Sequence, residues 1–343
     1  MSNKVIVTGG AGYLGTHTTV ALQNAGFEVV VVDNLINSDV GSLDGVAQIT
    51  GVRPIFERVD CADHDALMQV FSRHSDAVGV IHFAALKAVG ESVSHPLMYY
   101  RNNLNGLINV LSAMREYGIS CLVFSSSATV YGVPEKLPVT EQTPLQPATS
   151  PYGQTKVVGE NIIRDAVCAF PQLRATLLRY FNPIGAHPSG LIGELPRGVP
   201  NNLMPYITQT AAGIREVLSV FGNDYKTADG YCVRDYIDVN DLAAAHVAAM
   251  RRMCAGADGV SVFNLGTGRG VSVMELINEF KAATGVDVPY KIVARRPGDV
   301  PEIWADATLA ARVLDWRAKT PLRETLASAW NWQQKISSRD KKR

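Results

Sequence analysis

Val5-Ile6-Val7-Thr8-Gly9-Gly10-Ala11-Gly12-Tyr13-Leu14-Gly15 runs from a short apolar stretch straight into glycines at positions 9, 12 and 15, and a helical pattern from Tyr13 to Ala25 follows at once. Glycines where a strand turns into a helix let backbone amides approach a pyrophosphate closely, and the helix N-terminus adds partial positive charge there. Such turns are common, so the stretch decides the fold only together with its surroundings. Outward from it, apolar runs at Val29 to Val32, Pro54 to Val59, Val78 to His82, Cys121 to Ser125 and Ala175 to Arg179 alternate with helical patterns at Asp63 to Ser75, Pro96 to Tyr117 and Pro151 to Phe170. Each helix is long enough to cross between parallel strands, which predicts an α/β fold with a doubly wound parallel sheet.

After Tyr180 the rhythm breaks into a Pro- and Gly-rich stretch, Phe181 to Pro205, expected to be a long loop leaving the sheet. Residues 1–180 are therefore expected to form one domain and residues 181–343 mainly a second, smaller α/β domain, with some segments free to return to the first. Within the latter, Asp235 to Val239 has strand character, and Asp241 to Cys254 and Val273 to Thr284 have helical patterns. The polar, basic Ser337 to Arg343 is expected to fray.

The chain has 343 residues, of which 47% are hydrophobic and 19% charged, the balance of a globular protein. Its 32 basic and 32 acidic residues cancel, leaving no long-range field to capture nucleic acid or an anionic membrane. The five scattered cysteines lack any C-x-x-C pair, the seven histidines lack ligand spacing, and no apolar run is long enough for a membrane-spanning helix. Together with a strand beginning by Val5 and no leader before it, these features predict a cytoplasmic protein with free thiols and no metal.

Asp33 ends the second strand, one helix and one strand beyond Gly15, where a carboxylate can accept both hydroxyls of an adenosine ribose. An acid there repels a 2′-phosphate and no arginine follows before Arg53, so a Rossmann domain binding NAD rather than NADP is expected. Gly9, Gly12, Tyr13, Leu14 and Gly15 would face its pyrophosphate. Asn34, Asn37 and Ser38 can complete the ribose contacts or cap a turn. Asp60, beside Cys61, can reach the adenine or cap the next helix. Phe83, Ala84 and Ala85 end the fourth strand with mostly small side chains that let a flat cofactor pass, and Lys87 then points into the crevice.

Tyr152 and Lys156 are four apart on a predicted helix, which puts an ammonium beside a phenol whose ordinary pKa is near 10. The cation favours the phenolate, and a positively charged nicotinamide would add to the effect. Ser125-Ser126-Ser127-Ala128-Thr129-Val130-Tyr131-Gly132 ends the fifth strand, placing Ser127 at its carboxyl end and upstream of Tyr152, where it can bridge a sugar hydroxyl to the phenol.

The glycine turn, Asp33, Ser127 and the Tyr152/Lys156 pair, in this order, resemble the extended short-chain dehydrogenase/reductase family over nearly the whole chain. Lys87-Ala88-Val89-Gly90-Glu91-Ser92, the Ser126 to Gly132 segment, Tyr180-Phe181-Asn182-Pro183, Asn201 to Pro205, Phe221 to Tyr225 and Val233 to Tyr236 resemble its UDP-galactose 4-epimerase branch. The resemblance implies that Tyr152 is the base, Ser127 a proton relay and Lys156 the partner of the nicotinamide ribose, with Asn102, Ser125 and Tyr180 also on the NAD side. For a UDP-sugar it implies Lys87, Phe181, Asn182, Asn202 and Leu203, then Ser219, Val220 and Phe221 beside uracil. Arg234 and Arg296 would hold the diphosphate and Asp299 the uridine ribose. Helices Pro96 to Tyr117 and Pro151 to Phe170 would pair in a homodimer. Ile303 stands where relatives carry a bulky tyrosine or a small residue, which suggests tolerance of N-acetylated UDP-sugars. Two alternatives are a nucleotide-sugar 4,6-dehydratase and a catalytically silent NAD-binding regulator. Ala128 and Thr129 stand where dehydratases carry an Asp-Glu pair, and intact Ser127, Tyr152 and Lys156 oppose silence.

Overall fold

The computed structural model describes residues 3–296 and 299–340. Seven strands make its main sheet: Lys4–Thr8 (β1), Glu28–Val32 (β2), Ile55–Glu57 (β3), Gly79–His82 (β4), Cys121–Ser125 (β5), Arg174–Tyr180 (β6) and Val260–Leu265 (β7). They lie in the order β7-β6-β5-β4-β1-β2-β3, and every pairing is parallel. Alternation along β1 explains the two covered faces. Val5 and Val7 enter one core cluster and Ile6 the other, all fully buried. The strand order reverses between β1 and β4, so a crevice opens beyond their carboxyl ends.

The chain does not leave the sheet for good at Tyr180. Asn182–Ile184 is itself a short strand, paired with Tyr236–Asp238. Helix Val239–Cys254 then packs against helix Tyr13–Asn24, and β7 joins the edge of β6 from Val260↔Ala175 to Leu265↔Tyr180. Trp316 is buried in this first core, where its Nε1 donates to the Asp241 carbonyl at 2.8 Å. The second core gathers Ile207, Leu218, Tyr236, Leu276 and Phe280.

The fraying expected from Ser337 onward is corrected in part. Helix Leu322–Asp340 continues through Ser337 and Ser338, with Gln333 Nε2 donating to Ser337 Oγ at 3.1 Å; residues 341–343 lie outside the described residues. Among the described residues, no helix is long and apolar enough to cross a membrane.

Candidate active site

At the end of β1, Gly9 takes φ +69°, and a Cβ there would meet the Ala84 amide nitrogen at 2.7 Å. A Cβ on Gly15 would collide with the backbone of Gly9 and Gly10. These two glycines therefore let the turn, the helix and the end of β4 close on one another. Gly12 caps helix Tyr13–Asn24 without a side-chain bond, which leaves the first-turn amides facing the crevice as a cradle for phosphate.

Asp33 fixes the neighbouring loop. Its Oδ1 accepts from Leu35 N at 2.8 Å and Ser38 Oγ at 2.7 Å, and its Oδ2 accepts from Ala11 N at 3.1 Å. Asn34 Nδ2 donates to Asp60 Oδ2 at 2.9 Å, so the ends of β2 and β3 form one polar rim. The capping role open to Asp60 falls instead to Asp63, which accepts from Ala66 N at the start of helix His64–Arg73.

The Ser150-Pro151 sequence starts the next helix. Ser150 Oγ accepts from Gly153 N at 3.1 Å, and Pro151 occupies the first turn, where no amide partner is lost. Tyr152 therefore sits at the positive end of helix Pro151–Ala169, with Lys156 and Glu160 following at four-residue steps on the same stripe. This stripe meets the three serines. Ser127 and Tyr152 line the same cleft, Lys156 Nζ donates to the Ser125 carbonyl at 2.6 Å, and Ser126 Oγ donates to Glu160 Oε1 at 2.6 Å. Glu160 also receives a two-point grip from Arg179 at 2.8 and 2.6 Å, and Arg179 Nη1 donates to Tyr131 Oη at 3.1 Å. Glu160 and Arg179 were not singled out from sequence; the four-residue step beyond Lys156 was the available signal.

Burial raises the Tyr152 phenol to about 12, with the neighbouring Ser127 hydroxyl acting to lower it. Burial likewise brings the Lys156 amine down to about 8, with Glu160 acting to raise it.

These groups open into a cleft of about 1090 Å³. That exceeds the roughly 300–1,000 Å³ expected for one drug-sized ligand. Every cofactor-side residue expected from sequence lines it, from Gly9 to Tyr180. On the other side it is lined by Phe181, Asn182, Asn202, Arg234, Arg296, Asp299 and Ile303, whereas Leu203, Ser219, Val220 and Phe221 are outside the lining. Strand Leu218–Phe221 instead pairs with Tyr290–Val293, and Val220 is packed into the second core. Arg234 and Arg296 converge on one oxygen, Asp299 Oδ1, at 3.4 and 2.6 Å, so two guanidinium forks stand together at this end. Sequence reasoning missed Glu194 and Arg197, which line the cleft from within the Pro/Gly-rich stretch and carry no spacing signal.

A family model described as GDP-mannose 4,6 dehydratase matches residues 6–329. The UDP-glucose 4-epimerase of Bacillus subtilis (strain 168) is 53% identical over 329 residues, covering 96% of both chains. That of Bos taurus is 51% identical over 344 residues, covering 98% of both. Among solved structures, the Bifidobacterium longum UDP-glucose 4-epimerase in complex with NAD+ and UDP superposes with a TM-score of 0.94 at 47% identity, covering 97% of this chain and 99% of that one. The Campylobacter jejuni UDP-Glc/GlcNAc 4-epimerase gives a TM-score of 0.83 at 34% identity, covering 97% and 100%.

Proposed function

The chain belongs to the UDP-glucose 4-epimerases, within the wider family matched by the GDP-mannose 4,6 dehydratase model, and on that premise we propose that it interconverts UDP-glucose and UDP-galactose through a 4-ketopyranose with NAD held throughout. The observation that carries the reading is the convergence of Tyr152, Ser127 and Lys156 at the carboxyl end of β5, inside a cleft of about 1090 Å³ that every cofactor-side residue lines.

Bound NAD supplies a reversible two-electron acceptor, so an alcohol at C4 can become a ketone and be returned in either configuration. Tyr152 takes the 4-hydroxyl proton, with Ser127 bridging the hydroxyl and the phenol, and gives it back on return. Lys156, fixed by the Ser125 carbonyl, holds positive charge beside the phenol when its own amine is protonated. Arg234 and Arg296 anchor the diphosphate while the keto sugar turns, and Asn182 and Asn202 line the space between. Ala128 and Thr129 supply no acid for expelling a C6 hydroxyl, which favours epimerisation over dehydration.

Three finer points belong to the same proposal. The protein works as a homodimer through helices Pro96–Glu116 and Pro151–Ala169, between which Met68, Ile108, Ile162 and Phe170 border a surface groove. It resides in the cytoplasm, a setting that suits five free cysteines. It also accepts N-acetylated UDP-sugars slowly. Incubating purified protein with UDP-galactose, without added NAD, tests the main reading. Conversion to UDP-glucose, with nicotinamide nucleotide released on denaturation, is expected; absence of any conversion rejects it.

A further inference from the structure

Residues 191–202 touch both rims of the cleft and line it almost throughout. On the second lobe, Trp332 Nε1 donates to the Glu194 carbonyl at 2.9 Å. On the first lobe, Ile192 is buried with Val20 and Val46, and a Cβ on Gly45 would meet the Leu191 carbonyl oxygen at 2.6 Å, so the segment lies directly on helix Ser42–Thr50. Two charged contacts then bridge the lobes. Lys87 Nζ lies 3.2 Å from Glu194 Oε1, an oxygen that also accepts from Asn202 Nδ2 at 2.7 Å. Beyond it, the Arg197 guanidinium donates to the Ile36 carbonyl at 3.3 Å and to the Ser38 carbonyl.

We propose that residues 191–202 are a strap that retains the dinucleotide, with Arg197 as its clasp over the ribose end of the site. This rests on the NAD-dependent reading above. The Ile36 and Ser38 carbonyls belong to the loop that Asp33 organises through Ser38 Oγ at 2.7 Å. Arg197 closes that loop from outside, so an adenosine half lying against Asp33 leaves only when the guanidinium lets go. Retention matters here because the sugar nucleotide must exchange at every turnover while NAD stays. Arg197 is therefore a positioning residue, on the outer surface and free to release and re-form its contacts.

The test uses the full-length protein loaded with tritiated NAD and chased with unlabelled NAD. Arg197→Met and Gly45→Ala, the second of which lifts the strap at its base, are each expected to release label at least about tenfold faster than wild type, a difference of about 1.4 kcal/mol. Arg197→Lys, able to reach one carbonyl, should fall between. Circular dichroism confirms folding; if Gly45→Ala fails to fold, the exposed Arg197 variants decide alone. Release from folded Arg197→Met at the wild-type rate overturns the strap. Epimerase turnover of the wild type tests the other reading separately: slow, strap-dependent release without turnover upholds the strap and rejects the epimerase.

Discussion

The buried ammonium of Lys156 donates to the carbonyl oxygen of Ser125 at 2.6 Å, which pins the helix carrying the phenol to the strand carrying the serines. The contact holds the site together at a cost, because burial brings the amine from 10.5 down to about 8. Below pH 8 that cost is fully present. Between 8 and 10.5 the unfolded chain binds the proton and the folded chain does not, so stability from this group rises with pH.

Lys156→Met is therefore expected to stabilise the nucleotide-free protein at pH 7. The depressed amine corresponds to about 3 kcal/mol, and loss of the bond to Ser125 offsets about 1.5 of it, leaving a gain of about 1–2 kcal/mol. Urea unfolding at pH 7 and near pH 10.5 measures the difference, which should reverse at the higher pH to leave wild type more stable by about 1 kcal/mol, because the charge cost is then gone while the bond to Ser125 remains. Activity should fall at least about a hundredfold. A variant less stable than wild type at pH 7 would contradict this account.

Tyr152→Phe keeps the ring and removes the proton acceptor, so kcat should drop by about 10²–10⁴ with the fold and NAD content unchanged. Burial holds this phenol near 12 in the free chain, and the positive nicotinamide beside it should bring it down. Ultraviolet difference titration of wild type against Tyr152→Phe, with and without NAD, should show ionisation at lower pH by about two units or more in the loaded protein. Equal titration in both states would remove the phenolate from the mechanism.

Much of this was legible in the sequence, for identifiable reasons. β1, β2, β4, β5 and β6 are short apolar runs set off by turns, and Gly9, Gly12, Asp33, Tyr152 and Lys156 are tied to their ends or to a helical repeat. Local pattern reaches that far. It does not reach β7, whose Val260-Ser261-Val262-Phe263-Asn264-Leu265 joins β6 only after a long excursion through the second lobe. Nor does it reach Glu194 and Arg197. Their partners are carbonyls and a lysine on another lobe, and a Pro/Gly-rich sequence carries no periodicity to announce them. Helix Ser42–Thr50 escaped because it is only nine residues long, with a glycine at its centre.

Glu160 and Arg179 form a buried pair under the serines, 1% and 3% exposed. Removing one partner strands the other charge, so Glu160→Ala should cost about 3–5 kcal/mol in chemical unfolding. Pairing it with Arg179→Met should recover most of that loss. Activity should fall in both variants, because Ser126 Oγ loses its acceptor and the adjoining Ser127 its fixed position. A double variant no more stable than Glu160→Ala would show that the pair is not an independent unit.

Ile303 is 7% exposed, opposite Arg234 in a two-strand register, and packs with Ala128 and Phe181 where it lines the cleft. On the proposed reading, an acetamido group on the sugar would need room that this side chain partly occupies. Wild type should therefore turn over UDP-GlcNAc slowly beside brisk turnover of UDP-galactose. Ile303→Ala should raise the ratio of the two kcat/KM values by about tenfold, and Ile303→Tyr should lower it by at least as much, since a shape difference of this size is worth about 1–3 kcal/mol. On that reading, UDP-galactose turnover should change less than UDP-GlcNAc turnover in both variants. A ratio that stays constant across all three proteins would place the limit on sugar size elsewhere in the pocket.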